Sequence, residues 1–200
     1  MFPYYDTMCI YGFNGSDRVM VFIDFRNVTA NSFDPRTGRF DYSLMTDRLV
    51  AGRRLVRAFV FDGEYGDSDG CDRGRRIRDC LEYNGFTVRT RPYDAHGERQ
   101  KGVDVDLACT VMFHAAAGDF DVAVLVTGDG DFVPLAEHLK LMGRRVEVAS
   151  FEGSLSKGLR RCADRVHILD DMGLYRPLDA AVGGCLQGEV CRTRLPEPIV

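Results

Sequence analysis

The hydrophobic residues of this 200-residue chain fall into short apolar runs, with longer segments of helical periodicity between them. Several runs do not alternate apolar with polar positions, which indicates strands that are buried on both faces. Repeated alternation of such strands with helices predicts an α/β fold with a parallel sheet and right-handed crossovers. The predicted strands, numbered one to six in chain order, are 19–25, 55–61, 86–93, 122–128, 145–151 and 166–170.

The helices predicted between these strands have recognisable ends. Glycine after the last periodic position is typical of a helix C-terminus, and Gly85, Gly118 and Gly143 stand at such positions. Pro134 fits the first turn of a helix, and Ser154 is a suitable N-cap for the last one. The predicted helical segments are 42–52, 72–85, 103–118, 131–143 and 154–164.

No internal repeat or linker divides the strand–helix pattern, and the composition, 45% hydrophobic and 28% charged, is globular. We therefore predict one domain over 18–172, preceded by an N-terminal segment, 1–17, and followed by an appendage, 173–200. No apolar run approaches the roughly 20 residues that span a bilayer. The N-terminus does not have the pattern of a signal peptide. A cytoplasmic location without membrane association is the resulting expectation.

The charge and the cysteines exclude some classes of site. The formal net charge of −4 provides no global basic field, although it leaves a nucleic-acid partner open. The seven cysteines are scattered and include no Cys-x-x-Cys pair. We expect neither zinc nor disulfides. Cys80, Cys109 and Cys162 fall in helical patterns and are predicted to be small core residues.

Acidic residues stand where three predicted elements reach one edge of the sheet. Asp24 ends the first strand, and Asp129 and Asp131 follow the fourth in VTGDGDF. Asp104 and Asp106 open the helix that leads into the fourth strand. Parallel sheets bind ligands outside the carboxyl ends of their strands, where the strand order reverses. If the first and fourth strands are neighbours there, these carboxylates face one crevice.

Each acidic signal alone has an ordinary explanation, because aspartate is common in turns and at helix N-termini. Their conjunction on three separate elements favours a metal site, since crowded carboxylates need a cation and oxygen ligands suit Mg²⁺ or Mn²⁺. Such an ion activates water and stabilises a phosphodiester during in-line attack. Gly130 is predicted to bend the chain so that both flanking aspartates face one ion. The sequence contains neither a G-x-S-x-G elbow nor a P-loop.

Three segments carry a resemblance to a known family: VFIDFRN, KGVDVDLA, and VTGDGDFVPLAEHLKLMGRRVEVASF with the following SLSKGLRRCADRVHILD. In these the chain resembles the NYN domains of the PIN-like nuclease superfamily, most closely the LabA-like subgroup. The resemblance covers about residues 18–170. It implies a PIN-like, Rossmann-like three-layer α/β/α fold with strand order 3-2-1-4-5, to which a sixth strand can be added.

The resemblance also implies a metal-dependent ribonuclease that acts on RNA. The residues it assigns to catalysis and to Mg²⁺ or Mn²⁺ are Asp24, Asp104, Asp129 and Asp131. Asn27, Thr127 and Lys101 match family positions that bind or orient substrate. Arg26 and Asp106 are further substrate-binding candidates because of their positions beside the acids. The sequence does not decide between a monomer and a homo-oligomer.

Two departures from the family pattern leave alternatives open. Phe25 replaces the usual small residue after the first aspartate. Thr110 stands where the family often has another acid, and Asp106, one turn earlier, either replaces that acid or points to solvent. The main alternative is therefore an RNA-binding or regulatory module that has the nuclease fold and weak or no turnover. Phosphatase chemistry is disfavoured, because Arg26 occupies the position of its usual second aspartate.

Overall fold

The structure, a computed structural model, describes residues 15–32, 39–64, 72–92 and 102–176. The strands are β1 (Arg18–Asp24), β2 (Arg39–Phe40), β3 (Arg54–Glu64), β4 (Thr87–Pro92), β5 (Val122–Val126), β6 (Arg145–Ser150), β7 (Arg165–Ile168) and β8 (Tyr175–Arg176). The helices are α1 (Phe25–Ser32), α2 (Tyr42–Val50), α3 (Asp72–Tyr83), α4 (Val103–Ala117), α5 (Val133–Leu141) and α6 (Lys157–Cys162). Two 3₁₀ turns cover Gly130–Phe132 and Leu169–Met172.

The main sheet has the strand order β4-β3-β1-β5-β6-β7, and all of its neighbouring strands are parallel. Counted in chain order without the short β2, this order is 3-2-1-4-5-6. The predicted parallel α/β fold, its strand order and its sixth strand are therefore confirmed. The chain adds strands on one side of β1 and then returns to its other side with β5. The strand order thus reverses between β1 and β5.

Alternating residues of β1 reach two separate layers of core. Val21 and Ile23 face the layer that contains α1, α2 and α3, where Leu49 is fully buried. Phe22 faces the layer that contains α4, α5 and α6, where it packs with Leu107. Both faces of β1 are therefore dry, which explains why its sequence is a continuous apolar run. The predicted three-layer α/β/α arrangement follows from these two cores.

The largest local difference from the sequence prediction is α1, which the apolar pattern did not reveal. This short helix is mostly polar, and it begins because Asp24 Oδ1 accepts a hydrogen bond from the backbone N–H of Asn27, 3.1 Å away. At the other end of the chain, Ser156 rather than the predicted Ser154 caps α6, with its side chain accepting from Leu159 N. Gly118 closes α4 with a φ of 75°, as predicted.

The expectation about the cysteines was wrong in two respects. Cys80 is disulfide-bonded, and its partner lies outside the described residues because Cys109 and Cys162 are free. Cys109 is exposed on α4 rather than buried in the core. Helical periodicity placed both residues on helices correctly, but it did not identify which face of each helix packs on the sheet.

The predicted C-terminal appendage, 173–200, begins within the described part of the chain. Leu174 is fully buried, and β8 pairs with β2 in a two-stranded antiparallel sheet. Residues beyond 176 lie outside the described ranges, as do residues 1–14 of the predicted N-terminal segment. None of the described helices is long and apolar enough to cross a membrane.

A buried ion network joins α2 to the far half of the sheet. Arg53 donates from its two terminal nitrogens to both carboxylate oxygens of Glu147, over 2.6 and 3.0 Å. His167 Nε2 lies 2.8 Å from Glu147 Oε2. Burial opposes ionisation of Glu147, but the hydrogen bonds from His167 and Arg53 outweigh it and lower the pKa of Glu147 to about 2. Glu147 is therefore ionised in the folded protein at neutral pH.

We predict that Glu147→Gln lowers the free energy of unfolding by about 3 kcal/mol at pH 7, because it leaves the Arg53 guanidinium buried without a counter-charge. A group with a lowered folded-state pKa stabilises the fold above its ordinary pKa of 4.5 and loses this effect as the pH falls toward 2. The difference between wild type and variant should therefore shrink over that range in urea unfolding. Glu152→Gln, which breaks the exposed pair with Arg160, is the matched control and should cost less than about 1 kcal/mol. Equal costs for the two variants would contradict the assignment.

Candidate active site

The end of β1 and the end of β5 lie side by side where the strand order reverses. Ile23 is paired with Val126, so the next residues of each strand, Asp24 and Thr127, are neighbours. Both side chains are buried. The Thr127 hydroxyl donates to Asp24 Oδ2 over 3.1 Å. Asp24 Oδ1 accepts the hydrogen bond from the backbone N–H of Asn27 that caps α1. Each oxygen of the Asp24 carboxylate is thereby held in a fixed direction.

The loop after β5 is fixed to the same group of residues. The Thr127 hydroxyl oxygen accepts from the backbone N–H of Asp129 over 3.2 Å, so this hydroxyl links the two aspartates. Asn27 reaches across from α1, and its Oδ1 accepts from Gly128 N over 2.9 Å. Asp129 Oδ1 accepts from Asp131 N over 3.0 Å and starts the 3₁₀ turn. Through Thr127, these bonds hold the backbone of Asp129 near the Asp24 carboxylate.

Gly128, rather than Gly130, is the glycine on which this loop depends. A Cβ atom on Gly128 would lie 2.2 Å from the backbone oxygen of Ser154 and 2.7 Å from Ser150 Oγ. Gly130 does not use the left-handed conformation open to glycine, because it is not among the residues with positive φ. The chain does turn at Gly130, but it does so without the backbone conformation that favours glycine. The loop turns as a 3₁₀ turn and is packed tightly against 150–154 at Gly128.

Asp104 brings a third element to the site, from the first turn of α4. Gly102, with a φ of 86°, precedes the helix and occupies the N-cap position, so the Asp104 side chain does not cap it. Asp104 is exposed at the rim of the crevice. Its pKa is raised above the ordinary value by partial burial of the carboxyl and by repulsion from Asp129 and Asp131. The first turn of α4 thus brings a third carboxylate close to Asp129 and Asp131, whose negative charges repel it.

The pKa of Asp24 is raised for the same kind of reason. Burial is the main cause, and the charges of Asp104 and Asp129 add to it, while the hydrogen bonds from Asn27 and Thr127 act in the opposite direction. Within the described residues, no arginine, lysine or histidine forms an ion pair with these carboxylates. The four predicted acids therefore form one electrostatically coupled group without a protein counter-charge in the described part of the chain.

This group fits a divalent cation by its chemistry but does not form a closed cage. Carboxylate oxygens that repel one another are the donors that Mg²⁺ and Mn²⁺ prefer. Among the described residues, however, no three acidic, histidine or cysteine side chains are gathered closely enough to hold a metal ion. One oxygen of Asp129 caps the following turn, and Asp104 remains at the rim. The carboxylate donors lie at the carboxyl edge of the sheet, but among the described residues they do not converge on one point as metal ligands do.

The other predicted substrate-binding residues are distributed differently. Asn27 and Thr127 belong to the hydrogen-bond network of the site, and Arg26 is exposed on α1. Lys101 lies outside the described residues. Asp106 neither joins the acidic group nor points to solvent: it is buried and paired with arginines of β4.

Comparison with known proteins identifies the family of the chain. The profile of the NYN domain matches residues 18–170, which is most of the chain. The chain belongs to the NYN domain family. This NYN domain has the nuclease-like fold of its family, and its acidic group lies at the edge of the sheet where such folds bind ligands.

The NYN domain is similar to two known proteins. It is similar to the low amplitude and bright protein LabA of Synechococcus elongatus, at 26% identity over 152 residues, which cover 73% of this chain and 72% of that protein. It also resembles the crystal structure of a protein of unknown function from Vibrio parahaemolyticus, with a TM-score of 0.65 at 24% identity. That match covers 81% of this chain and 98% of the other, and at this identity it shows the fold alone.

The residues that sequence reasoning missed are Arg89 and Arg91, on β4. Both bind Asp106, and together they form a basic cluster next to the first turn of α4. The available signal was the alternating Arg-Thr-Arg of the third predicted strand, which places two arginines on the same face. The apolar residues of this run predict a strand, but they do not show which residue of another element the two arginines meet.

The tight packing at Gly128 generates a prediction about the loop. We expect Gly128→Ala to lower the free energy of unfolding by about 3 kcal/mol, because the added methyl group must displace the backbone at Ser154. Gly130→Ala is the matched control: its methyl group would meet only Ser156 side-chain atoms at 3.4 Å, and the cost should stay below about 1 kcal/mol. Urea unfolding of both variants measures the difference. A Gly130 variant as unstable as the Gly128 variant would show that the close approach to Ser154 is not the constraint.

Proposed function

We propose that this NYN domain is a metal-dependent ribonuclease that hydrolyses phosphodiester bonds of RNA. The observation that carries the proposal is the mutual repulsion of Asp24, Asp104 and Asp129 at the point where the strand order of a nuclease-like fold reverses. Groups with perturbed pKa values that are gathered in such a crevice are typical of functional sites. A purely structural cluster would be expected to contain a cation from the protein.

The residues that would hold Mg²⁺ or Mn²⁺ are Asp24, Asp104, Asp129 and Asp131. When bound there, such an ion lowers the pKa of a coordinated water and stabilises negative charge on the phosphodiester. The chain itself supplies the orientation of the donors. Thr127 and the α1 N-terminus fix the Asp24 oxygens, and Asn27 fixes the loop that carries Asp129. Fixed donors lose little entropy when they bind a ligand.

RNA as the substrate is supported by family membership and by a basic residue beside the site. The NYN family is a nuclease family, and its resemblance to this chain includes the segment that contains Lys101. Arg26, exposed on α1 directly after Asp24, is suited to a substrate phosphate. Arg26 would bind the nucleic acid on the solvent side of the acidic group.

A second candidate function is an RNA-binding or regulatory module without turnover. Two observations favour it. Thr110 is buried on α4 and provides no carboxylate where the family often has one, and the described acids do not form a closed metal cage. The name of the Synechococcus relative, low amplitude and bright protein, also does not describe a nuclease. Cleavage and binding therefore need separate measurement.

The decisive experiment is cleavage of a mixed-sequence RNA in the presence of Mn²⁺ or Mg²⁺. We expect products with 5′-phosphate ends, and a loss of about 100-fold or more in rate for Asp24→Asn and for Asp129→Asn. Changes one shell further from a catalytic metal already cost about 10- to 100-fold. Asp79→Asn, which removes an exposed carboxylate on α3, is the matched control and should cleave as the wild type does.

The folding of Asp24→Asn is checked by unfolding in metal-free buffer. Because the pKa of Asp24 is raised, the charged form is disfavoured in the folded protein, and the neutral amide should not destabilise it. Metal-dependent cleavage that persists in both site variants would contradict the assignment. RNA binding without cleavage at any concentration of either metal would instead favour the regulatory alternative.

A further inference from the structure

Arg89 and Arg91 lie in a row with the acidic group across the sheet. Asp24 is paired with Phe61 on β3, and Phe61 is paired with Arg89 on β4. Neighbouring strands are about 4.8 Å apart, so the Arg89 backbone lies roughly 10 Å from that of Asp24. Arg91 follows two residues closer to the carboxyl ends of the strands. Phe61 packs in the α4 layer, so both arginines are on the face of β4 that α4 borders.

A single buried carboxylate holds both arginines. Asp106 Oδ2 accepts from Arg89 Nε over 2.9 Å, and its Oδ1 accepts from Nη2 of Arg89 and from Nη2 of Arg91, each over 2.8 Å. The Asp106 side chain is only 6% exposed, whereas the two arginine side chains are 40% and 45% exposed. The cluster therefore has its negative charge inside and two guanidinium groups at the surface.

This cluster contains more positive charge than a simple structural ion pair. One arginine in bidentate contact already balances the charge of a carboxylate, and the second adds a like charge beside the first. The cluster combines two guanidinium groups with the one carboxylate that both of them bind, so its net charge is about +1. Most of the ten N–H donors of two guanidinium groups are unused by Asp106. Fixed, partly exposed donors with net positive charge are suited to an anion.

Asp104 and Asp106 connect the two regions through the first turn of α4. Asp104 belongs to the acidic group, and Asp106, two residues later, binds the arginines. A polyanion that reaches the acidic group from the side of β4 would pass the guanidinium groups first. Roughly 10 Å separates the two regions in the sheet, which is on the scale of a few nucleotides of one strand.

We propose that Arg89 and Arg91, positioned by Asp106, form a phosphate-binding subsite for single-stranded RNA beside the acidic group. The inference rests on the proposed function for its choice of RNA. Bidentate guanidinium groups match the geometry of phosphate oxygens. Asp106 is then a positioning residue, which differs from its predicted role as a residue that touches substrate.

The test is RNA binding without metal, which separates it from cleavage. A fluorescein-labelled single-stranded RNA of mixed sequence is titrated in EDTA by anisotropy at several salt concentrations. The test variant combines Arg89→Gln, Arg91→Gln and Asp106→Asn, so that no buried charge is left unpaired. Arg18→Gln is the matched control, because Arg18 also holds one carboxylate, that of Asp121, in a bidentate pair with 37% of its side chain exposed.

The two variants change the net charge equally. The triple variant removes two positive charges and one negative charge, and the control removes one positive charge, so each protein becomes more negative by one. Arg18 begins β1, at the edge of the sheet opposite the acidic group. Any difference in RNA affinity between the variants therefore reports the position of the arginines rather than the total charge.

We expect the triple variant to bind RNA about tenfold more weakly, and the slope of log affinity against log salt to decrease by about 1.4, which corresponds to two phosphate contacts on a single strand. Arg18→Gln should retain the wild-type slope. If the triple variant does not fold, Arg91→Gln alone is used, because it leaves the bidentate Arg89–Asp106 pair intact. Its slope should decrease by about half as much as that expected for the triple variant.

Equal affinity and slope for the triple variant and Arg18→Gln would overturn the subsite, even if the protein cleaves RNA. Absence of RNA binding by the wild type at low salt would overturn it as well. Weakened binding of the triple variant in a protein that never cleaves RNA would support the subsite and count against the ribonuclease. The subsite and the proposed function therefore fail by different results.

Discussion

The parallel pairing of β1 with β5 is the constraint on which the site depends. It places Asp24 beside Thr127, and the Thr127 hydroxyl then connects the Asp24 carboxylate to the backbone of Asp129. Because both strands are buried on both faces, neither can shift without exposing core. The geometry of the acidic group is therefore fixed by the hydrophobic packing of two strands rather than by the acids, which repel one another.

The treatment of negative charge distinguishes the site from the rest of the fold. Buried Glu147 is bound by Arg53 and His167, and Asp106 by two arginines. In both cases the partners outweigh burial and lower the pKa of the carboxyl group. Asp24 is equally buried, but its donors among the described residues are a backbone amide and a hydroxyl, and its pKa is raised. Among the described residues, the carboxylates of Glu147 and Asp106 are neutralised by cations, whereas that of Asp24 is not.

The sequence predicted the sheet well because buried parallel strands are recognisable as continuous apolar runs. It also located Asp24, Asp104 and Asp129, since each stands at a strand end or helix start that topology brings to one edge. It missed α1, whose stability comes from a cap rather than from an apolar face. It misplaced the glycine constraint, because the contact of Gly128 with Ser154 joins distant parts of the chain.

The same limit applies to the fate of each charge. Spacing showed that Asp106 shares a helix turn with Asp104, but only the folded chain shows that β4 supplies two arginines to it. Periodicity gives the direction of a side chain from its own element, and not the charge of its neighbour on another element. The pairing of carboxylates with cations, which separates structural acids from site acids here, was for this reason beyond the sequence.

The most direct test of the central claim, that the coupled carboxylates share a divalent cation, is a calorimetric titration of the metal-free protein with Mn²⁺. We expect saturable binding by the wild type and by Asp79→Asn, and loss of that binding in the double variant Asp24→Asn/Asp129→Asn. Absence of Mn²⁺ binding in the wild type, or an unchanged titration of the double variant, would contradict it.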